Sequence, residues 1–203
     1  ANIPNGNTAL RKQLISPICS MPGLYYCSKM FWVAAQPANN WLLLEQFIEH
    51  GTSLLGGYPS LTFSFWAKAD ANGTNVAVLY GNYYGTGGAP SSADVASKIV
   101  TLSTTWIRYF VTFTPSIAGK TFGTNNDDFS IIEFDTDSTV NTAASGAIYI
   151  TGVQVDVGDT ALPYRVKSFD QELQRTMRYY EKSTNYGDAV NAVPTAGGYV
   201  QCE

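Results

Sequence analysis

The residues best suited to hold a ligand are aromatic rings placed at turns beside small polar side chains. A sugar presents a C–H face that lies against an aromatic ring, and hydroxyls that pair with a few fixed polar groups. Tyr83 and Tyr84, just ahead of a glycine-rich loop, are candidate platforms, as are Trp41 and Tyr58 near turns, with Asn82 and Asp94 as polar partners. Trp66 and Trp106 fall in mid-segment and read instead as core or intersubunit packing. A second set is acidic. Asp127, Asp128, Glu133, Asp135, Asp137, Asp156 and Asp159 all fall between Lys120 and Arg165 with no basic residue among them. Carboxylates at this density either spread into solvent or hold a hard cation. Asp135-x-Asp137-x-Thr139-x-Asn141 offers oxygen ligands at alternate positions, as a calcium loop does, so Asp135, Asp137 and Asp156 are the candidate ligands for a structural calcium ion. Val140 and Gly146 stand where an EF-hand loop needs Gly and a bidentate Glu, so the segment is no EF-hand.

Nucleophilic catalysis has little to work with. His50 is the only histidine, in a Glu49-His50-Gly51 turn with no nucleophile elbow beside it. Carboxylate pairs for glycoside hydrolysis are numerous, but none is singled out by position, so no catalytic residue is assigned and a non-enzyme is expected. Gly85, Gly87 and Gly88 resemble a phosphate cradle in composition only. Such a loop must open a helix, and a Ser/Ala-rich stretch and a strand follow here. The three cysteines, Cys19, Cys27 and Cys202, form no metal-binding spacing and read as buried thiols, with a Cys19–Cys27 bridge the minor alternative.

The elements that must position these residues are strands. Of 203 residues, 12 are basic and 16 acidic, a charged share of 14% against roughly a quarter in typical soluble domains. Solubility falls instead to 20 Thr, 16 Ser and 13 Asn, alongside 27 aromatic residues and 18 Gly. Thr, Tyr, Phe and Gly suit half-buried strands and turns, not helical bundles. A net charge of −4 with scattered basic residues excludes a nucleic-acid footprint. No apolar run approaches the roughly 18 residues of a membrane-spanning helix. The chain starts at Ala1 without the regions of a signal peptide, which reads as a cut start.

Residues 1–24 are turn-rich and read as irregular. Candidate strands follow at 24–36, 41–49, 61–69, 76–84, 97–103, 106–114, 129–134 and 147–157, separated by Pro, Asn and Gly signals. The clearest is 61–69, with Leu61, Phe63, Phe65, Ala67 and Ala69 on one face and Thr62, Ser64, Trp66 and Lys68 on the other. Asn72-Gly73 after it predicts a tight hairpin to the next strand. The fold expected is all-β, a two-sheet jelly-roll β-sandwich over 25–167, with a short C-terminal α-helix at 168–183. Ser168 and Gln171 have capping-box spacing, and Asp170 and Glu172 sit near the helix start. Residues 184–203 read as an extended tail that opens a further module.

The runs TFSFWAKAD (62–70), TTWIRYFVTFTPSIAGKTFGTNNDDFSIIEF (104–134) and ITGVQVDVGDTALPYRVKSFDQELQRTMRYYEKS (150–183) resemble the C-terminal jelly-roll modules of bacteriophage tail fibres and tailspikes. The third run is the most specific, and the likeness covers roughly residues 41–183. Asp156 departs from it, standing where similar proteins tend to have Glu, which weakens a metal assignment there. The resemblance implies a virion protein made in the host cytoplasm. It implies a fold like that of carbohydrate-binding modules, a homotrimer joined to other virion tail proteins, and recognition of a bacterial surface polysaccharide. The alternative it leaves open is a trimerising cap without glycan binding of its own.

Overall fold

A computed structural model describes residues 8–13, 24, 26–32, 42–136, 139–141 and 145–177. Over residues 1–164 the described strands are β1 (Thr8–Gln13), β2 (Tyr26–Trp32), β3 (Leu42–Glu49), β4 (Leu61–Ala69), β5 (Thr74–Tyr83), β6 (Asp94–Leu102), β7 (Ile107–Phe113), β8 (Phe129–Thr136) and β9 (Gly146–Val157), with one helical turn, α1 (Gly51–Leu55). They form a five-stranded sheet ordered β1-β2-β9-β4-β7 and a four-stranded sheet ordered β3-β8-β5-β6. All pairings are antiparallel. From β2 onward every connection except β5–β6 carries the chain from one sheet to the other, which is the winding of a jelly roll.

The period-2 pattern of β4 decides which of its faces enters the core. Leu61, Phe63, Phe65, Ala67 and Ala69 are all buried between the sheets, with Met30, Ile148 and Ile150 beside them and Val76, Val78, Ile132 and Phe134 opposite. Rings tie the layers together: Phe65 meets Phe134 edge-on at 4.9 Å, and Phe63 meets Tyr80 at 5.5 Å. Each such ring contributes about 1.5–3 kcal/mol by leaving water. A second cluster lies on the outside of the five-stranded sheet. There Leu24, Cys27, Ala147 and Tyr149 are buried beneath Phe31, Trp66, Trp106 and Tyr164. Trp66 of β4 and Trp106, just ahead of β7, therefore pack against the back of a sheet, not between sheets. Cys19 and Cys202 lie outside the described residues.

Three sequence expectations need correction. The segment read as irregular contains β1, which pairs with β2 from Thr8–Phe31 to Gln13–Tyr26. Its sequence, TALRKQ, lacks the apolar alternation that marks a strand buried on one face. Asn72-Gly73 does not close a hairpin, because β4 and β5 belong to different sheets. Gly73 does adopt a positive φ of 81°, and Asn72 Oδ1 accepts a hydrogen bond from Thr104 N–H at 3.0 Å, so the turn hands the chain across the sandwich. The helical turn α1 was also unread.

Residues 165–203 form a separate compact unit. Within it α2 (Phe169–Thr176) starts as its capping box predicts: Gln171 N–H donates to Ser168 Oγ at 3.3 Å, and Ser168 N–H donates to Gln171 Oε1 at 3.2 Å. Residues 178–183 of the expected helix, and the 184–203 tail, lie outside the described residues.

Candidate functional site

β6 and β7 are edge strands of different sheets, so no ladder closes the sandwich along that flank. The gap is a cleft of about 470 Å³. Tyr80 and Asn82 of β5 line its depth, Asp94, Val95, Ala96 and Lys98 of β6 form one wall, and Thr112, Phe113, Thr114, Pro115, Ser116 and Lys120 form the other. Pro115, without an N–H to offer a ladder, follows the end of β7. A turn closed by Lys120 N–H to the Ile117 carbonyl at 3.1 Å, with Gly119 at a φ of +71°, then swings Lys120 back over the cleft.

That return builds a charged cluster at the cleft mouth. Lys120 Nζ lies 2.7 Å from the Asp94 carboxylate and 5.5 Å from the centre of the Tyr84 ring. Tyr84 donates its hydroxyl hydrogen to Asp94 Oδ2 at 2.6 Å. Hydrogen bonds from Lys120 and Tyr84 hold the Asp94 carboxyl below its usual range. Burial, and then the hydrogen bond to Asp94, push the Tyr84 phenol well above its own. Asp94 thus stays ionised and half open to solvent, an acceptor fixed in place by two donors. Deeper in, Asn82 Oδ1 accepts from Tyr80 Oη–H at 2.7 Å and from Ser130 Oγ–H at 3.1 Å.

The sequence candidates divide accordingly. Asn82 and Asp94 come together in the cleft, and Tyr84 stands behind Asp94, but its ring is 2% exposed and is a support, not an open platform. Tyr83 points the other way, as strand alternation requires, and stacks on Phe129 at 4.5 Å on the outer face of the four-stranded sheet. Tyr58 is exposed in the turn after α1, apart from the cleft lining. Trp41 lies outside the described residues. Lys98, Phe113 and Lys120 were missed: Lys98 Nζ lies 5.6 Å from the Phe113 ring centre, and only the pairing of distant edge strands brings these residues to Asp94.

Of the candidate calcium ligands, the two that are described stand on different sheets. Asp135 stands on β8 of one sheet, Asp156 on β9 of the other, and Asp137 lies outside the described residues. Asp156 is buried and accepts from Gln154 Nε2 at 2.8 Å and from Leu162 N–H at 3.0 Å. Asn141, the last position of the alternate-oxygen motif, spends its Oδ1 on Asn75 N–H at 2.8 Å. Among the described residues no three His, Cys, Asp or Glu side chains gather as a metal site.

The acidic stretch instead makes local ties. Asp127 accepts from Thr86 N–H at 2.6 Å and Thr86 Oγ–H at 2.5 Å, clasping the glycine-rich loop. Asp128 lies 3.1 Å from His50 Nδ1 and accepts from Ser53 N–H at 2.9 Å. The Ser53 hydroxyl donates to the His50 carbonyl at 2.9 Å and not to the imidazole, so this Ser, His and Asp secure the start of α1 and form no relay.

No protein-family model matches the sequence, and no curated protein matches it. Among solved structures, the chain is similar to a family 4 carbohydrate-binding module at 20% identity, over 65% of this chain and 71% of that one, with a TM-score of 0.42. It is similar to a family 30 carbohydrate-binding module at 10% identity, over 85% and 84%, with a TM-score of 0.46. A third similar structure is the enzymatically active domain of tailspike protein 4 from bacteriophage CBA120, at 14% identity and a TM-score of 0.42, where the match covers 77% of this chain but 20% of the tailspike chain.

Proposed function

We propose that the protein is a non-catalytic glycan-binding module of a bacteriophage tail fibre or tailspike, reading a bacterial surface polysaccharide in the cleft between β6 and β7. The observation that carries this reading is the cleft itself: a concave flank in which Asp94 is held ionised by Lys120 and Tyr84, with Lys98, Ser116 and the apolar surface of Ala96, Phe113 and Pro115 around it. Such a set accepts and donates to sugar hydroxyls while an apolar wall meets the C–H face. The virion setting is supported by the sequence resemblance over 62–70, 104–134 and 150–183.

A second reading has its own observation. Phe47, Val95 and Ile99, each more than half exposed, lie on the outer face of the four-stranded sheet, and Phe110 of β7 is 65% exposed. The apolar and aromatic part of such a surface fits a subunit contact in a homotrimer. Binding to intact bacteria and purified surface polysaccharides, followed by Trp/Tyr fluorescence with the solution mass measured alongside, separates the two. Saturable binding supports the glycan reading, whereas a folded trimer that binds no glycan and no cell supports the structural one.

A further inference from the structure

On the outer face of the five-stranded sheet, Lys29, Tyr149 and Lys68 form one cross-strand row. Lys29 of β2 and Lys68 of β4 both pair in register with Tyr149 of β9. Their ammonium groups lie 5.4 and 4.9 Å from the centre of the same Tyr149 ring. Each also flanks a second ring, Lys29 that of Phe31 at 5.1 Å and Lys68 that of Trp106 at 5.9 Å. Among the described residues neither lysine forms an ion pair, and Asp70, the acidic residue next after β4, pairs with neither. Two of the chain's 12 basic residues therefore share one ring with no carboxylate among the described residues in an ion pair with either, in a protein of net charge −4. Cation–ring attraction holds each ammonium over the sheet but leaves its charge in place.

From this row we infer a second binding site, separate from the edge cleft and independent of it, that takes the carboxylate of an acidic saccharide between Lys29 and Lys68. Lysine ammonium groups bind an oxyanion as point charges with three donors each. The half-buried rings of Phe31 and Trp106 at the two ends of the row supply apolar faces for the sugar that carries the carboxylate. Two lysines are too few for a nucleic-acid backbone, which needs a clustered footprint.

The test titrates the full chain with a tetra-galacturonate and with its carboxyl-reduced, neutral counterpart, by calorimetry at fixed salt. The acidic oligomer is expected to bind at least about tenfold more tightly than the reduced one, and a Lys29→Gln/Lys68→Gln double variant is expected to lose that difference. Lys29→Arg/Lys68→Arg, which keeps both charges, is expected to retain most of it. No binding of the acidic oligomer at millimolar concentration overturns the inference. So does equal binding of acidic and reduced oligomers, or binding unaffected by the Gln substitutions in a variant that melts like the parent. Unchanged binding of a bacterial surface oligosaccharide in Asp94→Asn, with the acidic preference intact, counts against the proposed function alone.

Discussion

Glu133 is the residue whose environment is least comfortable. It faces Glu45 directly across the β3–β8 ladder and shares its face with Asp135 two positions on. Burial, then the charges of Asp135 and Glu45, raise its carboxyl to about 7. In the unfolded chain the same group ionises near 4.3. The unfolded state therefore gives up this proton first as pH rises, so Glu133 costs nothing below that value. It weakens the fold increasingly up to about 7 and stays unfavourable above it. Glu133→Gln is expected to raise the melting temperature at pH 8 and leave it unchanged at pH 4. The gain, after allowing for solvent screening, is on the order of 1 kcal/mol. Equal gains at both pH values would contradict the assignment. Tyr84→Phe tests the cleft mouth at the same scale, since it removes the 2.6 Å hydrogen bond to Asp94 and a longer one, 3.4 Å, to the Ser116 carbonyl. A stability loss of about 1–2 kcal/mol is expected, together with weaker glycan binding.

At the scale of elements, the glycine-rich loop and the 121–127 loop are one clasp. Gly123 N–H donates to the Tyr84 carbonyl at 2.7 Å, and a Cβ at Gly123 would lie 2.2 Å from the Thr86 carbonyl oxygen. Gly123→Ala must therefore part the loops, costing about 1–3 kcal/mol in a denaturant melt. A neutral outcome would show that the clasp carries no stability. This clasp was not legible in the sequence, where the glycines stood out by composition but their partners Thr124, Asn125 and Asp127 lie some 40 positions away. Strand β4 was legible to its ends because period-2 alternation is a local property of LTFSFWAKA. The β4–β5 turn was misread for the converse reason. Asn72-Gly73 encodes the local backbone reversal, but whether two strands pair or part depends on β7 and β9 beside β4 and on β6 and β8 beside β5, which claim the ladder positions.

At the scale of the molecule, the same limit separates fold from site. Alternating strands and turn residues announced the sandwich, and the jelly-roll winding agrees with them. The cleft arises because β6 and β7 end as neighbouring edges, a tertiary fact that joins Asn82 and Asp94 to Lys98, Phe113 and Lys120 and turns Tyr83 away. Among the described residues, the aromatic rings noted in the composition fall in places such as the core, the Trp66–Trp106–Tyr149 cluster behind the five-stranded sheet, and exposed positions including Phe47 and Phe110. The central claim is that the β6–β7 cleft holds a glycan. Its most direct test is an amide-resolved NMR titration of the chain with an oligosaccharide released from a bacterial surface polysaccharide, repeated with Asp94→Asn. The account predicts shifts concentrated at residues 94–98 and 112–120, and affinity reduced about tenfold or more in the variant. Shifts that avoid those residues, or an Asp94→Asn variant that binds as the parent does, would contradict it.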